Sequence, residues 1–268
     1  MLLYIKLRDE SMIYFLYGIL ILIGTITGVI TSLVGASAVT LIVPALSMLF
    51  HVNVHTAIGT SLFVDVITSI VVSYNYYRKG HVELKSGLWI AVASVIGAQF
   101  GASIANATKG VTLSGLFGIL LIFSGINELH RSKKQTTERK RIKFKHQWTE
   151  ILSAILIGIA IGIISGIFGA GGGVMILLAL IIILGYPMHM AVGTSTLIMA
   201  ITALSSDIGY FRHGHIDFLF GILLSIGAVI GGILGSKYAN KINDKVLSKV
   251  LDIFFIIIGI IMLIQAFV

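Results

Sequence analysis

The second half of this chain repeats its first half at a fixed offset of 134 residues, half of the 268-residue length. His55-Thr56-Ala57-Ile58-Gly59-Thr60-Ser61 aligns with His189-Met190-Ala191-Val192-Gly193-Thr194-Ser195. Tyr76, Arg78, Gly80 and His81 align with Tyr210, Arg212, Gly214 and His215. Between positions 55 and 82, eleven of 28 positions are identical in the two copies. A period this long excludes short solenoid repeats. In an apolar chain, such a duplication is the usual construction of a secondary transporter.

The chain is apolar enough for that reading. It is 57% hydrophobic and 11% charged, where soluble domains carry about 25% charged residues. It cannot dress a water-facing surface, so it is expected to be an integral membrane protein. Thirty glycines suit close helix contacts in lipid. With no cysteine, disulfides, thiolate metal sites and cysteine nucleophiles are excluded. Much of the net charge of +8 lies between Arg131 and Lys145. This basic stretch reads as a cytoplasmic linker under the positive-inside rule. The expected division is a first transmembrane repeat over 1–130, a linker over 131–147 and a second repeat over 148–268. The apolar run from Met12 to Val34 is too long for a signal-peptide core of about 7–15 residues. It reads as a retained first helix.

Five apolar segments are legible in each copy, near 12–34, 38–50, 56–77, 86–107 and 111–129, then 149–168, 173–185, 190–211, 217–239 and 246–268. Four per copy are long enough for the ~20 residues that a span needs. The second of each copy is not: ~13 residues make only ~20 Å of helix. Each short segment is entered through small residues, Gly35-Ala36-Ser37-Ala38 and Gly169-Ala170-Gly171-Gly172-Gly173. The expected fold is therefore an all-α polytopic membrane protein of two homologous repeats. Each repeat holds four full spans plus one short, glycine-started re-entrant or half helix, giving 8–10 crossings. If the short segments cross fully, the repeats are inverted; if they do not, the repeats run parallel. The distribution of Lys and Arg fits both.

Broken helices at matching positions point to a transporter's binding site. Gly59-Thr60-Ser61 and Gly193-Thr194-Ser195 are expected to open long helices, where free N–H groups and partial positive charge suit an anion. The alternative for the hydroxyls is N-capping. With the glycine breaks, the candidate substrate-binding residues are Gly35, Ser37, Gly59, Thr60, Ser61, Gly171, Gly172, Gly193, Thr194 and Ser195. Asp65, expected near the middle of its helix, is the coupling candidate, because an ionisable group at that depth marks an ion path or proton relay. Asp207 lies five residues from Arg212 and has an ordinary near-surface pairing as its alternative. Arg78 and Arg212 are candidate vestibule cations, with interfacial snorkelling as the plainer reading. Gln99, Asn106 and Asn127 read as interhelical hydrogen-bonders. The eight histidines show no metal-binding spacing. No nucleophile and base converge, so no catalytic residue, metal or cofactor is expected.

The run Gly169-Ala170-Gly171-Gly172-Gly173 followed by Ala191-Val192-Gly193-Thr194-Ser195 resembles the sulfite exporter TauE/SafE family. The first copy carries Pro44 and Ala57-Ile58-Gly59-Thr60-Ser61 in register. The resemblance covers nearly the whole chain. It departs at Gly35-Ala36-Ser37-Ala38-Val39, where the family's glycine run is denser, and at Leu178, which stands opposite Pro44. It implies an exporter or permease of sulfite, sulfonates or related sulfur oxyanions, driven by an ion gradient. The implied partners are the oxyanion, the lipid bilayer of a prokaryotic plasma membrane and a coupling proton or other ion. Nucleic acid is not among them, and homo-oligomerisation stays open. Rival readings are an intramembrane enzyme, a membrane scaffold, or a transporter of another cargo such as a metal cation.

Overall fold

The computed structural model describes residues 10–106, 172–182, 184–212 and 214–243, with single residues or short pieces elsewhere, among them 155–160 and 162–163. Seven helices have defined bounds among these: α1 Glu10–Val34, α2 Val39–Leu49, α3 Val54–Tyr77, α4 Leu84–Asn106, α5 Gly172–Ile182, α6 Met188–Arg212 and α7 Phe218–Ala239. The described residues form no strand. Segments 111–129 and 246–268 and the linker lie largely or wholly outside the described residues. α1, α3, α6 and α7 are long and apolar enough to cross a membrane.

The short helices α2 and α5 have 11 residues each. At 1.5 Å per residue that is ~17 Å, about half of the hydrocarbon core. The break before α2 is fixed at Gly35, whose φ of 65° belongs to the left-handed region. The same requirement explains Gly80 and Gly214, with φ of 74° and 70°. They end α3 and α6 in the same way: His81 N–H donates to the Tyr76 carbonyl, and His215 N–H to the Tyr210 carbonyl. This is a Schellman-type C-cap, which wants glycine at the left-handed position. Nothing lies within 4 Å of a Cβ added at either glycine, so backbone conformation alone demands it.

Helix packing uses small residues inside and large ones outside. On α7, Gly221, Leu224, Ser225, Gly227, Ala228, Gly231 and Gly235 are buried, while Ile222, Ile226, Ile230 and Leu234 are exposed. The exposed set repeats every four residues, which is one face of a helix. α7 meets α1 through backbone contact: a Cβ on Gly24 or Gly28 would strike the carbonyls of Leu224 or Ala228, and one on Gly227 or Gly231 those of Ile21 or Thr25. Both sets of numbers rise together, so the two helices are parallel. The same contact recurs at the 134-residue offset. Gly97 on α4 meets the Ile159 carbonyl, and Gly158 and Gly162 meet those of Ile90 and Ser94. The first helical segment of each copy therefore packs on the fourth helix of the other copy. Interlocked spacings of Gly-x-x-x-Gly type supply the close approach, which drives association where lipid removes the hydrophobic term.

α3 and α6 are the central pair, and they are antiparallel. The start of α3, at Gly59 and Thr60, touches residues 210–217 beyond the end of α6. The start of α6, at Gly193 and Thr194, touches residues 76–83 beyond the end of α3. Two separate apolar cores flank this pair. One gathers Leu20, Ile42, Leu46, Val64 and Leu224 from α1, α2, α3 and α7. The other includes Ile176, Leu180, Ile198 and Ile90 from α5, α6 and α4, the counterparts of Ile42, Leu46, Val64 and Leu224 at the same offset.

Candidate functional site

Between the two cores runs a seam of buried polar side chains. α3 contributes Thr60, Ser61, Asp65, Thr68, Ser69 and Ser73, and α6 contributes Thr194, Ser195 and Thr196. On α3 these recur at three- and four-residue spacing, so they share one face. Into the seam point the two helix breaks, which meet each other. A Cβ on Gly173, at the start of α5, would stand 2.8 Å from the Gly35 carbonyl oxygen and 3.1 Å from the Ser37 nitrogen. A Cβ on Gly35 would stand 2.7 Å from Ser195 Oγ. Only glycine lets the two breaks approach this closely. Two helix N-termini converge here, each worth about half a positive charge.

The two breaks are treated differently. Asp65 is buried, and its carboxylate closes the start of α2. Ser37 Oγ donates to Oδ2 at 2.6 Å, and the Ala38 N–H donates to Oδ1 at 2.9 Å. A carboxylate from α3 thus sits where an anion would be favoured. One turn further along α3, the buried Ser69 Oγ has no hydrogen-bond partner. At the offset position, α6 carries Met199, whose sulfur packs against Gly173 at the start of α5. The second break has no carboxylate at the equivalent position. Chemically, the seam offers one fixed negative charge, two positive helix poles and many hydroxyls.

The Gly-Thr-Ser triplets are not at the helix starts, contrary to the sequence expectation. α3 begins at Val54, where Asn53 Oδ1 accepts from the His55 N–H at 2.9 Å. α6 begins at Met188, directly after Pro187. The triplets lie in the second turn, where backbone N–H groups bond to carbonyls four residues back. Their hydroxyls are also engaged. Thr60 Oγ1 accepts from the Asp217 N–H at 2.9 Å, and Thr194 Oγ1 accepts from the Glu83 N–H at 3.1 Å. Ser61 donates to the Ile58 carbonyl and Ser195 to the Val192 carbonyl, at 2.8 and 3.0 Å. Gly59 and Gly193 serve contact between the copies: a Cβ on Gly59 would strike the His215 carbonyl, and one on Gly193 the His81 carbonyl.

Of the other predicted residues, Gly172 opens α5 and Gly171 lies outside the described residues. Gly35 and Ser37 stand at the meeting of the breaks with Ser195. Arg78 and Arg212 are exposed at the ends of α3 and α6, at opposite ends of the antiparallel pair. Asp207 is partly buried, and its Oδ1 has no hydrogen-bond partner. Asn127 lies outside the described residues, as do the side chains of Gln99 and Asn106.

Sequence reasoning missed two things. One is that Ser37 and Ala38 are Asp65's partners, which a separation of 27–28 residues hides. The other is the histidine pairing across the copies: the rings of His55 and His215 lie 5.6 Å apart, and those of His81 and His189 5.1 Å. The repeated histidines were a usable signal, because a residue kept in both copies serves a contact that both copies make.

The TauE family profile, described as sulfite exporter TauE/SafE, matches residues 20–262. Relatives carry the names of membrane transporters. "Probable membrane transporter protein YdhB" of Bacillus subtilis strain 168 is 30% identical over 216 residues, 79% of this chain and 85% of the relative. "Probable membrane transporter protein MJ0441" of Methanocaldococcus jannaschii is 29% identical over 224 residues, 81% of this chain and 80% of the relative. "Probable membrane transporter protein YunE" of Bacillus subtilis strain 168 is 28% identical over 228 residues, 78% and 84% of the two chains. No solved structure matches the chain. With the family profile matched over most of its length, this integral membrane protein belongs to the TauE/SafE sulfite exporter family.

Proposed function

We propose that this membrane transporter carries a small oxyanion, sulfite or an organosulfonate, and that the anion binds where the two helix breaks meet, between the repeats. The observation that carries the reading is the unequal pair of breaks. The start of α2 is closed by the Asp65 carboxylate. The start of α5 faces Met199 and keeps its positive pole for an incoming anion. Gly35, Ser37, Gly172 and Ser195 surround that place. Gly59, Thr60, Gly193 and Thr194 act one step away, by holding the two copies against each other. Thr60 and Thr194 belong to the site through that hold rather than as donors to the anion in this conformation.

Asp65 is the coupling residue in this reading. An anion arriving at α5 stands one Ser37 side chain from the Asp65 carboxylate. Like-charge repulsion then favours protonating Asp65, so anion and proton move together. The antiparallel α3–α6 pair supports an inverted duplication, in which each short helix with its break counts as a crossing. Five crossings per copy, with the basic linker 131–147 in the cytoplasm, put the N-terminus outside. Net export gains from the membrane potential, about 2.3 kcal/mol per negative charge expelled at ~100 mV.

The test is efflux from proteoliposomes loaded with labelled sulfite under an imposed interior-negative potential. Efflux faster than from empty-lipid vesicles is expected. Equal rates, with protein shown to be folded and inserted, would remove the reading.

A further inference from the structure

The residues kept in both copies form two small clusters, one at each end of the α3–α6 pair. In the first, Thr60 accepts from the Asp217 N–H, Gly59 lies against the His215 carbonyl, and the His55 and His215 rings face each other. In the second, Thr194 accepts from the Glu83 N–H, Gly193 lies against the His81 carbonyl, and the His189 and His81 rings face each other. Every contact of one cluster is the 134-residue counterpart of a contact in the other. Along α3, Gly59 and Tyr76 are 17 residues apart, or ~25 Å. The clusters are therefore separated by most of a hydrocarbon core's thickness.

We propose that these two clusters are the gates of the transporter, lying at opposite faces of the membrane and opening in alternation. This deepens the transporter reading and rests on it. Each gate is where one core meets the loop that follows the other copy's central helix. Across each gate run one backbone-to-hydroxyl hydrogen bond, one glycine contact and one ring pair, while the flanking apolar cores are dry and separate. Two rigid bodies joined by a polar seam can rock without breaking either core. The two gates are copies of one contact, so opening one and closing the other exchanges near-equal free energies. An equilibrium between two such states needs that balance. With the linker in the cytoplasm, the His55–His215 gate beside Arg212 faces outward, and the His81–His189 gate beside Arg78 faces inward.

The natural chain has no cysteine, so thiol chemistry reports only engineered positions. Two single variants, Arg78→Cys and Arg212→Cys, change exposed side chains and test the sidedness. A membrane-impermeant maleimide should label Arg212→Cys from outside intact cells and Arg78→Cys only in inside-out vesicles. Labelling of both from one face overturns the proposal, whatever the cargo is. Motion is tested with His55→Cys/His215→Cys and His81→Cys/His189→Cys, each joined by a short cleavable bis-thiol reagent. Joining either gate should lower sulfite counterflow at least tenfold, with recovery on cleavage. Counterflow at an undiminished rate with a joined gate overturns the proposal while leaving the transporter reading intact. No counterflow in the unmodified protein, with opposite-face labelling retained, instead removes the cargo.

Discussion

Met199→Asp should turn the second helix break into a copy of the first and shut out the substrate. Met199 stands at the 134-residue counterpart of Asp65, and its sulfur packs on Gly173 at the start of α5. In the first copy, the carboxylate at this position accepts two hydrogen bonds from the start of the short helix, at 2.6 and 2.9 Å. A hydrogen bond to a charged group contributes about 1.5–3 kcal/mol. A tethered carboxylate that recovers both would compete with a free anion by ~3–6 kcal/mol, and 1.4 kcal/mol is tenfold in affinity. Sulfite affinity should fall at least ~100-fold. Met199→Asn keeps the size without the charge and should stay within about tenfold of the parent. Met199→Leu, close in volume, should cost under ~1.5 kcal/mol of stability. The assay is the concentration dependence of counterflow, with melting temperature and gel filtration on each variant. A folded Met199→Asp protein with parental affinity would refute the assignment of the anion to the α5 break.

Asp65→Asn keeps the size and hydrogen-bonding capacity of the residue but cannot titrate in this range. It should lose transport driven by a pH gradient while keeping substrate exchange, measured side by side in proteoliposomes; driven transport at the parental rate would leave the membrane potential as the drive. Gly193→Ala should destabilise the protein by ~1–3 kcal/mol, since its methyl group meets the His81 carbonyl, and a melt reads this directly. Thr194→Val leaves the Glu83 N–H without its acceptor, so it should cost ~1–3 kcal/mol and change transport rate more than substrate affinity.

Much of the helix plan was legible, because apolar runs of ~20 residues and glycine breaks are local signals. Expected segments 12–34 and 38–50 correspond to Glu10–Val34 and Val39–Leu49. The Gly-Thr-Ser triplets misled because a helix start is set by its cap. Asn53 and Pro187 begin α3 and α6 a turn earlier than the triplets. The interlocking of the copies was less legible, since helix pairing depends on residues far apart in the chain. Its signal was nonetheless written in the spacing of Gly24 and Gly28, of Gly158 and Gly162, and of Gly227, Gly231 and Gly235. Asp65 was correctly expected in the interior of its helix, with 1% of its surface exposed. Its partners Ser37 and Ala38 required the fold, because no local pattern links a mid-helix acid to a loop 27 residues earlier.

The central claim is that a sulfur oxyanion crosses the membrane at the meeting of the two helix breaks. Counterflow in proteoliposomes tests it most directly, with labelled sulfite outside and unlabelled sulfite, an organosulfonate, sulfate or thiosulfate inside. Transient accumulation of label driven by internal sulfite or organosulfonate, and abolished by Met199→Asp, is the predicted result. No accumulation with any of the four anions, from protein that is folded and inserted, would contradict it.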